Sequence, residues 1–494
     1  MAHHLHAGAA VWVRRPAAGV QNGVTAAASE WLPAVVTSAD EGGAAAVALE
    51  GSGEVVACAP ADIELRGDDS CVQDLIRLAH LNEPSVLSAL ARRYAGGQIY
   101  TNTGRGIIIA LNPFTPMPHL YDAAAMEAYR SEGAAGDAVA RAPHVYAVAS
   151  QAYWRMRGEG KGQALLVTGE SGAGKTETSK LIMKYLAFLG GYKSKDSDDG
   201  DAARPSVEQR VLESNPLLEA FGNAKTVRND NSSRFGKYIE LHFCAAGSIS
   251  GARIHTYLLE RSRLVAPSKG ERNYHIFYQL LAGATREERS RWALGASAAA
   301  HRLTAAAGCL ALPGVDDARD LLVTRHAMRA VGLGADEQER LFSILSALLH
   351  LGDVSFDPCP DGGDGCAVGG PAAASLAAAA GLLGCGAAAL TKAVTTRTRV
   401  TPDGPIVSPL GAKAAAETRD ALSKAARAAA LLPPPLPRFG GPPAAADPRR
   451  REGVIQQTPR GARAVNAPQV IYARLFDWLV ARINEAVGED LVGA

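Results

Sequence analysis

At 494 residues, with 47% hydrophobic and 20% charged content, the chain has ample material for a large core plus a small accessory domain. A formal net charge of +1 gives no global pull toward nucleic acid or a membrane surface, so no nucleic-acid partner is expected. Its seven cysteines, odd in number and scattered, form neither a C-x-x-C metal spacing nor a disulfide framework; together with the missing apolar signal region this points to a reducing, cytoplasmic setting, with His3, His4 and His6 as a solvated tail.

Along the chain, residues 10 to 65 carry short β-prone runs, Val11–Val13, Trp31–Val36 and Ala46–Leu49, separated by Gly, Asp and Asn turns. A first boundary is therefore expected near Arg66, with 1–66 a small β domain and 67–494 the main body. From Val72 onward helical and strand patterns mix, as in an α/β core. Asn112-Pro113-Phe114-Thr115-Pro116, continuing to Tyr121, is a proline-punctuated turn.

Gly169-Glu170-Ser171-Gly172-Ala173-Gly174-Lys175-Thr176 is a complete G-x-x-x-x-G-K-T loop. It stands between an apolar run expected to be a strand, Ala164–Val167, and a helical pattern from Thr176 to Leu189, which is the context that makes such a loop a phosphate site. Glycines let successive N–H groups face the phosphates, and the helix start adds its positive dipole end. Lys175 is expected to reach the β and γ phosphates and the Thr176 hydroxyl to ligate Mg²⁺. A bound nucleoside triphosphate is the reading.

Tyr192–Ser206 reads as a charged flexible loop. Asn229-Asp230-Asn231-Ser232-Ser233-Arg234-Phe235-Gly236-Lys237 then precedes an alternating strand, Tyr238–Phe243. A hydroxyl-rich loop ending in Arg suits γ-phosphate sensing, because Ser ligates Mg²⁺ and Asn orients phosphate oxygens or water, although such a cluster taken alone is a plain turn. Cys366–Thr391 is uncharged and long enough to span a bilayer, yet its alanines, glycines and Pro371 leave it too weakly apolar; it reads as a surface helix with flexible flanks, and no transmembrane segment is expected.

The two motifs together resemble the myosin motor head. Gly169–Thr178 reads as that family's ATP loop and Asn229–Lys237 as its switch I, with Leu212–Pro216 and Glu219–Thr226 between them. Further likeness lies in Tyr257–Arg263, Glu271–Tyr278 and Leu349–Gly352, and the wording of Tyr185–Gly191 is nearest to class V and class XI myosins. The resemblance implies a P-loop core with a mostly β central sheet flanked by helices, preceded by a small SH3-like barrel. It implies ATP and Mg²⁺ as ligands, actin filaments as partner, an actin-cytoskeleton location, and calmodulin-like light chains only where a lever exists. Carried over residue by residue, it places catalytic roles on Lys175, Ser233 and Arg234, and metal ligation on Thr176 and Ser233. Nucleotide contacts fall on Asn112, Pro113 and Tyr121 at the base, and on Gly169, Glu170, Ser171, Gly172, Ala173, Gly174, Lys175, Thr176, Glu177, Asn229, Ser232 and Ser233. Pro116 stands where many myosins place a basic residue. Val394–Lys424 resembles the actin-facing loop, with Arg397 and Arg399 available to steer toward an acidic surface.

Two departures qualify the resemblance. Ala425–Gln469, with Leu432-Pro433-Pro434-Pro435-Leu436-Pro437 and Arg449-Arg450-Arg451, interrupts what the family writes as one helix from Asp420–Lys424 into Ile471–Val480; a retained intron or a PPII-type partner-binding loop explains it. The sequence also reaches Ala494 without the D-x-x-G-F-E of switch II, whose glutamate in the family pairs with the arginine standing here as Arg234. The expectation is therefore an ATP-binding part of a motor head that produces no force by itself. An actin-activated ATPase, a binding module without turnover, a non-functional fragment and a small-molecule kinase are the competing classes.

Overall fold

The computed structural model describes residues 5–15, 30–40, 43–67, 72–135, 142–191, 207–359, 365–401, 404–422 and 470–488. They fall into two compact units, 1–189 and 190–494.

In the first unit, β1 (Ala10–Arg15), β2 (Glu30–Ala39), β3 (Ala45–Leu49), β4 (Val55–Cys58) and β5 (Ile63–Leu65) form an antiparallel sheet in the order β4-β3-β2-β1-β5. All three β-prone runs read from the sequence lie on these strands. Alternation builds its core: Ala45, Val47 and Leu49 share one face of β3 and meet Val11, Val13, Ala34, Val36 and Ile63. Trp12, on the other face of β1, is also buried, and its Nε1 donates to Ser85 Oγ at 3.1 Å. Ser85 lies at the start of α1 (Glu83–Ala95), which begins with the Asn82 side chain accepting from Ser85 N and a proline in its first turn. The hairpin β6 (Tyr100–Asn102) with β7 (Ile108–Ala110) follows. Three helices, α2 (Ala123–Ala135), α3 (Val145–Glu159) and α4 (Lys175–Leu189), then pack on one another around buried Tyr146, Tyr153 and Tyr185.

The second unit opens with α5 (Val207–Gly222) and two hairpins, β8 (Asn223–Thr226) with β9 (Asn229–Ser233) and β10 (Gly236–Phe243) with β11 (Ile249–Tyr257). Helices α6 (His275–Gly283), α7 (Arg286–Arg291), α8 (Arg302–Ala305), α9 (Asp317–Ala330) and α10 (Ala335–Asp353) come next. Along α10, Leu341, Phe342, Leu345, Leu348 and Leu349 are all buried, the spacing of one helical face turned inward. The hairpin β12 (Phe356–Pro358) with β13 (Cys366–Val368) leads to α11 (Gly370–Leu382) and α12 (Ala387–Thr395). Then come β14 (Thr396–Thr401) with β15 (Gly404–Pro409), α13 (Ala412–Leu422) and α14 (Val470–Gly488). The last helix lies against α5 and β11. Its Tyr472 hydroxyl donates to Phe221 O at 2.7 Å, its ring stacks on Tyr274 at 4.7 Å, and the Asn484 amide pairs with both backbone groups of Ile254.

Mixed helices and strands fit the expected α/β class, but the central, mostly β sheet does not form among the described residues. Beyond the five-stranded sheet, every ladder is a two-stranded hairpin. Ala164–Val167, expected as a strand, is unpaired, with Leu166 88% exposed. A strand exists by hydrogen bonding to a neighbour, and none of the described strands runs beside this one.

The uncharged stretch is two helices and not one. Gly384, at φ +63°, turns the chain between α11 and α12, which are bent by 115°. Ala372, Leu376, Ala379, Ala380, Leu390 and Val394 of this pair share a core with Leu351 and Val354. Among the described residues no single helix is long and apolar enough to cross a membrane, although the bent pair passes by length and composition. The readings of Tyr192–Ser206, of Ala425–Gln469 and of the terminal histidines His3 and His4 lie outside the described residues.

Candidate functional site

The glycine loop is built by backbone. Gly169, Gly172 and Gly174 adopt φ of +151°, +85° and +90°, a region open to glycine at little cost. At Gly169 space adds to the requirement, since a Cβ there would stand 3.0 Å from that of Ala173. The Ala173 N–H bonds Glu170 O at 3.2 Å, and Thr178 N bonds Gly174 O at 2.9 Å as α4 begins. Lys175, the first residue of that helix, folds back so that Nζ donates to Gly169 O at 2.7 Å and Glu170 O at 2.8 Å. The ammonium is thus held by the loop's own carbonyls, at the helix end where backbone N–H groups favour an anion. Thr176 follows on the first turn, and Glu177 faces solvent paired with Lys180 at 2.9 Å.

The proline-punctuated turn is tied to this loop. Asn112 Nδ2 donates to Gly172 O at 2.7 Å, while its Oδ1 accepts from Phe114 N at 2.9 Å. That second bond holds Phe114 at φ +52° with its ring 81% exposed. Pro113 lies between them, partly buried. At the other end of the turn the Tyr121 hydroxyl meets that of Tyr100 at 2.7 Å. Burial pushes both phenols up, so they stay protonated and hydrogen-bonded.

In the second unit, Asn229–Ser233 is a strand and not the loop the sequence suggested. It pairs with β8 through Asn223↔Ser233 and Ala224↔Ser232 across a tight Val227-Arg228 turn. Side chains hold this hairpin. Asn231 Nδ2 donates to Glu219 Oε2 at 3.1 Å, and Asn231 Oδ1 accepts from Asn223 Nδ2 at 2.8 Å and faces His275 Nε2 at 3.2 Å. Because the Asn231 oxygen can only accept, His275 carries its proton on Nε2. Burial first, then the Arg272 charge, lowers the His275 pKa to about 4. Asn229 Oδ1 accepts from Asn231 N at 3.1 Å, and Ser232 is buried, its Oγ accepting from Arg234 Nη1 at 3.3 Å.

Arg234 pairs with Glu260 at 2.7 Å, and the backbones of these two residues are joined by Glu260 N to Arg234 O at 2.8 Å. Glu260 also holds Arg263, which reaches Glu271 at 2.9 Å, and Glu271 in turn accepts from Val227 N in the hairpin turn at 3.2 Å. Beneath lies a buried polar strap, Glu271 to Tyr274: Arg272 bonds Asp317 at 2.6 Å, and Asn273 Nδ2 donates to Leu264 O at 2.7 Å and Leu303 O at 2.9 Å. The roles of Asn223, Glu260 and His275 were not singled out from sequence. Their one signal was membership of the quoted family segments, since no local chemical pattern marks a residue that acts on another motif.

Two other clusters of polar groups stand apart from this hairpin. His301, His350 and Asp353 come close enough to hold a cation, but His301 Nδ1 bonds Asp353 at 2.6 Å, His301 Nε2 accepts from Gly295 N at 3.1 Å and His350 Nε2 donates to Ala293 O at 2.8 Å. Such a set ties loop to helix by hydrogen bonds. On the hairpin β14–β15, Arg397 and Arg399 stand opposite Ser408 and Ile406, with Ile406 and Val407 exposed.

The myosin head (motor domain) family model matches residues 72–430. Among similar proteins, Myosin-17 of Arabidopsis thaliana is 43% identical over 419 residues, which is 85% of this chain and 24% of the relative. Myosin-9 of the same plant is 42% identical over 431 residues, 87% of this chain and 24% of the relative. Protein OPAQUE1 of Zea mays is 40% identical over 467 residues, 93% of this chain and 27% of the relative. The chain thus spans about a quarter of the length of these relatives.

Proposed function

Because this chain belongs to the myosin motor-head family, we propose that it is the ATP-binding part of a motor head that, in the intact protein, couples ATP hydrolysis to movement on actin filaments in the cytoplasm. One observation carries the reading: a loop with three glycines at positive φ holds the Lys175 ammonium on its Gly169 and Glu170 carbonyls at the start of α4. A lysine bonded to its own loop's carbonyls is placed to exchange them for phosphate oxygens, which bond an ammonium more strongly. Residues Gly169–Glu177 would then hold the triphosphate, with Asn112, Pro113 and Tyr121 toward the base. When bound, Mg²⁺ supplies positive charge against the phosphate oxygens. Thr176, beside Lys175 on the first turn of α4, fits as a hydroxyl ligand; Ser233, with Asn229 and Ser232, takes its metal and phosphate role from the family motif alone. Arg234 would orient and stabilise charge on the γ phosphate. Residues 1–66 are proposed as an SH3-like domain and 67–494 as motor-domain sequence, with Arg397 and Arg399 facing actin.

Titration of the full chain with MgATP by calorimetry tests this. Binding by the wild type, and a loss of roughly 10- to 100-fold in Lys175→Ala, is the expected result, the size being that of one charge-assisted contact; equal affinity in the variant would refute the site. A second reading, nucleotide binding without turnover, is favoured by the Arg234–Glu260 pair, which already engages the arginine. Phosphate release measured with and without actin filaments separates the two.

A further inference from the structure

We propose that His144 is a positioning residue for the base end of the nucleotide site, a role that rests on the nucleotide reading above. His144 caps the start of α3, its Nδ1 accepting from Tyr146 N at 3.1 Å, and it is buried among tyrosine rings. Tyr129 stacks on it at 4.9 Å, and Tyr146 and Tyr100 meet it edge-on at 4.7 and 4.9 Å. Tyr121 lies at 5.6 Å. With Nδ1 accepting, the proton of the neutral ring is on Nε2, and burial, lowering the pKa to about 4, keeps the ring neutral. Among the described residues no well-formed hydrogen bond reaches Nε2; the Leu120 carbonyl is its backbone partner, a weak contact that offsets part of the effect of burial on the ring.

An N–H enclosed by aromatic rings needs an acceptor, and the Leu120 carbonyl leads to one place. Leu120 and Tyr121 end the Pro118–Leu120 turn, Tyr121 shares its hydroxyl with Tyr100, and Asn112 at the other end of the segment is bonded to Gly172 of the glycine loop. A base resting against Pro113 and Tyr121 bears on this turn, and the contact of Nε2–H with the Leu120 carbonyl supports that wall of the site, a support that a ligand without a base does not use.

The test compares MgATP with inorganic tripolyphosphate, both titrated into the full chain. In His144→Asn the amide oxygen still caps α3, but its shorter side chain does not reach Leu120. Expected is a roughly tenfold weaker Kd for ATP with tripolyphosphate unchanged. Tyr121→Phe, which removes only the hydroxyl shared with Tyr100, moves ATP the same way, and the double variant is non-additive. Unchanged ATP affinity in His144→Asn, equal losses for both ligands, or simple additivity would each overturn the assignment. A wild-type chain that binds ATP no better than tripolyphosphate, or binds neither, would instead bring down the nucleotide reading itself.

Discussion

Gly169–Thr176 in the first unit and the β8–β9 hairpin in the second are held in opposite ways. The loop takes its shape mainly from three positive-φ glycines and from bonds between its own atoms, with one side-chain bond from Asn112, and it is largely open to solvent. The hairpin takes its shape from carboxylate and imidazole groups that reach it from α5, from α6 and from the buried strap at Glu271–Tyr274. A backbone-encoded site is written contiguously and survives as a motif. A side-chain-braced one is distributed over fifty or so residues, and its individual members look ordinary.

If that contrast is right, the largest effect on stability comes from the strap. Asn273→Ala strands two carbonyls and a backbone N–H in the interior and should lower the unfolding free energy by about 3 kcal/mol in urea denaturation. Gly174→Ala meets open space, so its left-handed strain of about 1–2 kcal/mol is partly relaxed by the exposed loop, and global stability should fall by less than about 1 kcal/mol while ATP affinity drops about tenfold. A Gly174→Ala variant less stable than Asn273→Ala would break the comparison.

Acid sharpens it next. His144 and His275 are each depressed to about 4 from an ordinary 6.5, one in each unit. Below 6.5 the unfolded chain takes up protons that the folded groups refuse, so the stability present at neutral pH is lost progressively as pH falls toward 4. Chemical denaturation across that window should show a slope that His275→Gln flattens; a slope unchanged in the variant would show that the hairpin does not depend on a neutral His275. The smallest effect is expected for Arg234→Gln, which leaves Glu260 on its buried partner Arg263. Its pair with Glu260 is about one-third exposed, so the loss should stay below about 1 kcal/mol and shrink further in high salt. Stability unchanged by salt would mean that the bond is geometric and not ionic.

Much of the local structure was legible in the sequence. Short β-prone runs between turn residues located β1, β2 and β3, alternation located β10, and a helical pattern located α4, because local propensity and backbone period act within a few residues. The uncharged Cys366–Thr391 run gave composition without shape, and it was the glycine at φ +63° that divided it into two packed helices. Ala164–Val167 had the composition of a strand, but pairing is a property of a neighbour and not of a run of residues.

The same division governs the candidate site. The order of glycines, lysine and threonine by itself determined the phosphate loop, since positive φ excludes most other side chains and the chemistry sits in consecutive positions. Only the tertiary structure decided that Asn112 is bonded to Gly172, that Arg234 is paired with Glu260, that Asn231 is shared by Glu219, Asn223 and His275, and that His144 is enclosed by four tyrosines. Hydrogen bonds and ring contacts between distant segments depend on where packing brings them, and no spacing along the chain encodes that distance.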